Sequence, residues 1–225
     1  IKLTGTGYQP EGEFLDQKGN KFSPLANKNL EIMLLGGVLN SDARIEKTEK
    51  AYMVIGDPTE GALVVAGGKA GLTKEEVDAQ YPRLEEIPFD SGRKMMTTFH
   101  KINGEIISYT KGAPDVLLTR CNTVLTKDGV KALTIELYDE LLKVNSNLAS
   151  QGQRVLAIAF RKWSEVPKKP ASEMVEAELT FIGYFAILDP ARDEVKDAVR
   201  LSRSAGIKTV MITGDHQDTA LAIAK

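Results

Sequence analysis

Four consecutive residues, Lys111-Gly112-Ala113-Pro114, carry the first chemistry in this chain. They follow a strand-like run over 104–110 and open an apolar-periodic segment at Val116-Leu117-Leu118. A lysine at a strand end projects into the cleft above a sheet. Its ammonium is a compact charge suited to holding a phosphate or lying along a nucleotide. Gly112 leaves room for a ligand against the backbone, and Pro114 suits the first turn of a helix. The other reading is an ordinary strand–turn–helix corner with a surface lysine. Further groups recur along the chain: Gly56-Asp57-Pro58-Thr59-Glu60-Gly61-Ala62-Leu63, Phe89-Asp90-Ser91-Gly92-Arg93-Lys94, Arg154, Leu188-Asp189-Pro190-Ala191-Arg192 and Thr213-Gly214-Asp215.

Strands and helices must position these residues. Alternation near the start, with a Lys18-Gly19-Asn20 turn, predicts a hairpin. Leu30, Met33, Leu34 and Val38 give residues 27–40 a helical period. Tyr52-Met53-Val54-Ile55 reads as a strand, after which Thr59 is expected to cap a helix over 60–69. Thr73 and Glu76 have capping-box spacing for the next helix. Residues 81–87 lead into a strand. Residues 95–101 and 105–110 flank Asn103-Gly104, a hairpin signal. A short helix over 115–120, a second hairpin about Lys127-Asp128-Gly129, a helix over 134–150 and buried strands over 154–161 and 179–188 follow, with a polar, proline-containing stretch between those two strands. After Asp189-Pro190 the order becomes helix (193–205), strand (208–213), helix (from 218), a βαβ-type rhythm. A boundary at 189–192 therefore separates residues 1–188 from residues 189–225. The fold class expected is α+β, an antiparallel twisted sheet flanked by helices, followed by an incomplete α/β segment.

Composition narrows the function classes. The 225 residues are 42% hydrophobic and 27% charged, enough for a core and ordinary for a folded domain. A net charge of -2, with Lys and Arg scattered, argues against a nucleic-acid partner. The single cysteine, Cys121, rules out a disulfide within the chain and fits a reducing compartment. It reads as a small buried apolar residue. His100 and His216 are far apart, so a zinc cluster is not expected. No apolar run is long enough to cross a bilayer, and no signal peptide is visible. The first residue is Ile, which reads as a piece of something longer.

Taken in order, these motifs resemble the nucleotide-binding domain of a cation-transporting P-type ATPase, across essentially the whole chain. The opening Thr4-Gly5-Thr6-Gly7-Tyr8-Gln9-Pro10-Glu11-Gly12 is most similar to the calcium-pump branch. The resemblance implies ATP as ligand and Mg2+ in the intact pump. It implies that Phe89 stacks on adenine, Glu60 accepts from the adenine edge and Met96 lines the base pocket. Lys94, Lys111, Gly112 and Arg154 complete the nucleotide site. The family often has an arginine two positions after the phenylalanine. Ser91 stands there, and Arg93 is the candidate substitute. Asp189, Pro190 and Arg192 correspond to the hinge into the phosphorylation domain. Thr213, Gly214 and Asp215 correspond to its phosphate and magnesium side.

The resemblance also implies partners: the remaining phosphorylation, actuator and transmembrane domains of a parent pump, at the cytoplasmic face of a membrane. The family's phosphorylated aspartate lies in Asp-Lys-Thr-Gly-Thr. Here Ile1 precedes Lys2-Leu3-Thr4-Gly5-Thr6, and the downstream Gly-Asp-Gly-x-Asn-Asp motif is absent. The chain alone is therefore expected to bind ATP without forming a phosphoenzyme. Two other readings stay open. One is a haloacid-dehalogenase-type phosphatase using Asp189 or Asp215, although Ala191 and Gln217 occupy the acid–base positions. The other is a protein-interaction module with a vestigial pocket.

Overall fold

Two asparagines bracket the helix on which the site depends. Asn27 caps helix α1 (Lys28–Leu39), its side chain accepting from the amides of Asn29 and Leu30, and Asn40 closes it. These contacts come from a computed structural model that describes residues 1–49, 51–188 and 193–212. A small hairpin, β1 (Lys2–Leu3) with β2 (Phe14–Leu15), precedes α1. A second, β3 (Arg44–Lys47) with β4 (Tyr52–Ile55), follows it. Helix α2 (Pro58–Lys69) comes next. Its cap is Asp57, which accepts from the amides of Thr59 and Glu60, and not Thr59 as the sequence suggested. Pro58 at N1 has no amide to satisfy, so the better acceptor just before it takes the cap. Helix α3 (Lys74–Gln80) starts after Thr73, but the capping box does not form. The Thr73 hydroxyl donates to the Glu76 carboxylate at 2.6 Å and leaves the backbone amides alone.

The main sheet has seven strands: β5 (Arg83–Asp90), β6 (Met95–Ile102), β7 (Glu105–Gly112), β8 (Cys121–Thr126), β9 (Gly129–Ala132), β10 (Arg154–Trp163) and β11 (Leu179–Ile187). Their spatial order is β5-β6-β7-β10-β11-β8-β9. All neighbours are antiparallel except β11 and β8, which are parallel. Asn103 and Gly104 both take positive φ at the β6–β7 turn, as a two-residue hairpin loop requires.

Helices cover both faces. Helices α4 (Pro114–Leu118) and α5 (Ile135–Ser150) lie over Met95, Ala157, Ala159 and Phe181. The short α6 (Ser172–Val175) covers Ile87 and Phe99 beside Trp163. On the opposite face α1 and α3 pack over Ile102, Tyr109 and Phe160. Helices α1 and α2 meet through Leu30, Leu34 and Ala66, with Phe14 closing that cluster. The architecture is thus α+β, a largely antiparallel sheet between helices.

Helix α7 (Asp193–Ser204) forms as the sequence suggests. The strand expected over 208–213 does not: residues 208–212 have no regular structure. Val210 and Ile212 stay exposed. A strand needs a hydrogen-bonded neighbour, and among the described residues none runs beside this one.

Candidate functional site

Register decides which side chains share a face. On β7, Lys111 pairs with Met96 of β6 and with Ile158 of β10. All three therefore point to the α1–α2 side. Lys111 is 6% exposed and its ammonium donates to Glu60 Oε1 at 2.6 Å. Glu60 sits in the first turn of α2, where the helix dipole favours a carboxylate. Its other oxygen accepts from the amides of Asp42 (2.7 Å) and Ala43 (3.1 Å), which fixes the carboxylate against the turn leaving α1.

The Lys111 ammonium also donates to the Asn40 carbonyl and lies 3.3 Å from Met96 Sδ. Asn40 is fully buried and donates through Nδ2 to the carbonyls of Met96 (3.1 Å) and Tyr109 (2.6 Å). The end of α1 is thereby pinned across β6 and β7, directly beneath the lysine. Sequence reasoning missed Asn40. Its only signal was a polar residue at the end of an apolar helical stripe, which reads as a cap. Burial pushes the Lys111 pKa below the usual lysine value, against the attraction of Glu60.

The remaining candidates surround this pair. Arg154 opens β10, is exposed, and donates to Thr59 Oγ1 at 2.9 Å, one residue from Glu60. Lys94 is exposed in the β5–β6 loop and has φ 55. Its amide donates to Asp90 O at 2.6 Å, and its carbonyl accepts from Ala113 at 3.1 Å. The loop is thus joined through backbone to the Lys-Gly-Ala-Pro turn. Phe89 lies in the same hairpin, near the end of β5, with 61% of its surface exposed.

Two neighbouring residues are held by packing and pairing. A Cβ at Gly112 would meet Lys94 O and Met95 Cγ, each at 2.6 Å. The glycine is required by the close approach of the neighbouring strand on the side a Cβ would occupy. Arg93 is not free to stand in for a second pocket arginine. It donates to Pro88 O at 2.7 Å and pairs with Glu176.

Lys111 is therefore in direct contact with both Glu60 and Met96. Arg154 joins them through Thr59, and Lys94 and Gly112 through backbone. Asp189, Pro190, Arg192, Thr213, Gly214 and Asp215 lie outside the described residues. Cys121 packs beside the α4–α5 cluster and donates to Leu117 O, and burial pushes its thiol up to about 12. It is therefore no nucleophile at neutral pH. Among the described residues no group of three or more His, Cys, Asp or Glu is placed to hold a metal ion, and no helix is long and apolar enough to cross a membrane.

Residues 29–194 match the family model described as P-type ATPase, cytoplasmic domain N. The chain belongs to this family. Among curated relatives, it is 44% identical over 227 residues to a calcium-transporting ATPase of Bacillus subtilis (strain 168), covering 100% of this chain and 25% of that protein. It is 39% identical over 230 residues to the cation-transporting ATPase pma1 of Synechocystis sp., again covering 100% of this chain and 25% of the relative. Calcium-transporting ATPase 1 of Bacillus cereus is 38% identical over 211 residues, or 92% of this chain and 23% of the relative. This P-type ATPase domain thus spans about a quarter of the length of the relatives it matches.

Proposed function

We propose that this chain holds ATP where the α2 N-terminus and the β5–β6 and β7–α4 corners converge. In an intact cation pump it would present the γ-phosphate to an aspartate of the neighbouring phosphorylation domain. The observation that carries the reading is the hydrogen-bonding state of Lys111. An ammonium has three donors. Glu60 and the Asn40 carbonyl take two, and the third faces only the Met96 thioether, a weak acceptor. A buried, charged group with one donor left to a soft partner is poised for a stronger acceptor from a ligand.

The neighbours supply complementary chemistry. Phe89 offers a ring face that no core packing consumes, and stacking on a base is worth about 1–3 kcal/mol. Glu60 Oε1 already accepts from Lys111, yet a carboxylate oxygen has a second lone pair for an exocyclic amine. Lys94 and Arg154 add exposed positive charge for the phosphates. Mg2+ accompanies the triphosphate in the intact pump, with Thr213 and Asp215 as the residues proposed to face it. Asp189, Pro190 and Arg192 form the proposed hinge. Phosphoryl transfer itself depends on positioning and charge neutralisation, and its acceptor is proposed to lie outside this chain. Calcium is the proposed cargo, from the names of relatives.

Calorimetric titration with ATP tests the reading. Wild type should bind with Kd on the order of 0.1–1 mM, about 4–5.5 kcal/mol. Lys111→Ala and Phe89→Ala should each weaken binding about tenfold. No binding at several millimolar, or variants that bind like wild type, would refute the assignment.

A further inference from the structure

Glu176 lies between α6 and β11, is 2% exposed, and carries a carboxylate on the sheet face opposite Lys111. Its Oε1 pairs with the Arg93 guanidinium and accepts from Thr97 Oγ1 at 3.2 Å. Thr97 in turn shares a 2.9 Å hydrogen bond with Thr110. A carboxylate buried this deeply is costly unless it is paired and hydrogen-bonded. Replacing such a pair with apolar residues is often neutral for stability, so a role in positioning accounts for it better than one in stability.

Arg93 converts that anchor into loop geometry. Its amide donates to Asp90 Oδ1 at 2.9 Å, and its Nη2 donates to Pro88 O at 2.7 Å. Pro88 and Phe89 sit where the β5–β6 register shifts, between Ile87 and Asp90. Such irregularities re-aim a side chain. Lys94, the next residue, holds a left-handed conformation that disfavours a side chain, so surrounding contacts must enforce it. The Phe89 ring has little packing of its own, and its direction depends on the backbone that Arg93 ties down.

We propose that Glu176 is a positioning residue for the nucleotide. Acting through Arg93 from the far face of the sheet, it holds the 88–94 corner so that Phe89 and Lys94 address the base and phosphates. The inference rests on the ATP reading above.

A double-mutant cycle on the chain tests it, with ATP affinity read by calorimetry and folding by melting curve. Glu176→Gln keeps volume and one acceptor and should weaken ATP about fivefold. In a Phe89→Ala background the same substitution should cost at most about twofold, the share carried by Lys94, because one of the two side chains it positions is gone. A purely structural residue would cost the same factor in both backgrounds. If Glu176→Gln does not fold, Arg93→Lys is read in its place. It keeps a charge beside Glu176 but cannot also reach Pro88, and the same pattern is expected. Equal losses in the two backgrounds, or no loss in wild type, would overturn the proposal. If wild type itself fails to bind ATP, both readings fall. If wild type binds and responds to Lys111→Ala and Phe89→Ala but not to Glu176→Gln, only this one falls.

Discussion

Buried charge on this sheet is handled in two ways at the residue scale. Lys111 stays paired with Glu60, with the Asn40 carbonyl and the Met96 thioether also around its ammonium. His100, on the neighbouring strand β6 and fully buried, is kept neutral. Its Nδ1 lies 2.9 Å from Tyr81 O, which identifies Nδ1 as the protonated nitrogen, and its Nε2 has no partner. Burial lowers its pKa to about 4, with Arg83 and Lys74 adding to the effect. The folded value lies below the unfolded value of 6.5, so the fold favours neutral histidine. That stability is complete above pH 6.5 and is lost as pH falls from 6.5 towards 4, a swing of about 3 kcal/mol. Denaturant unfolding at pH 7 and pH 4 should show this loss in wild type, and His100→Gln should lack that component. Identical losses in both proteins would contradict the assignment. None of this was legible from a lone histidine in the sequence, because burial and an orphaned ring nitrogen are tertiary facts. The Glu60–Lys111 pair was half legible: both residues stood out, but the tertiary contact that joins positions 51 apart did not.

At the scale of elements, α1 is the part that cannot move. A Cβ on Gly36 would come within 2.5 Å of the Tyr109 ring and 3.1 Å of Ile158 Cδ1. Tyr109 is buried and its backbone carbonyl holds Asn40, so neither neighbour can yield. Gly36→Ala gains up to about 1 kcal/mol of helix propensity, whereas overpacking costs about 1–3 kcal/mol. The clash wins. The variant should melt lower than wild type and bind ATP more weakly, because the α1 C-terminus carries Asn40 and the Asp42 and Ala43 amides that hold Glu60. A variant as stable as wild type would show that α1 can lift off the sheet at little cost. Elements with strong local chemistry were readable in advance: the Asn103-Gly104 hairpin, the α1 stripe and the capped α5. Misreadings arose where two local signals competed, as with Asp57 and Thr59 at α2. They also arose where an element needs a neighbour, as over 208–212. The β3 strand was missed because Arg44-Ile45-Glu46-Lys47 offers one apolar residue and acquires its conformation by pairing with β4.

At the scale of the whole molecule, the sheet works as a partition. One face carries Lys111, Met96 and the α1–α2 layer, and the other carries the Glu176–Arg93–Thr97 network under α4, α5 and α6. The two faces meet at the β5–β6 loop, where Phe89 and Lys94 emerge. On the function proposed above, one ligand, ATP, is held where α2, this loop and the Lys-Gly-Ala-Pro turn converge. Amide NMR of the chain during titration with ATP tests it most directly. Shifts should saturate together and concentrate at residues 57–60, 89–96, 111–113 and 154, while α5 and the β8–β9 hairpin stay still. Shifts centred on α5 or that hairpin, or none up to several millimolar ATP, would contradict it.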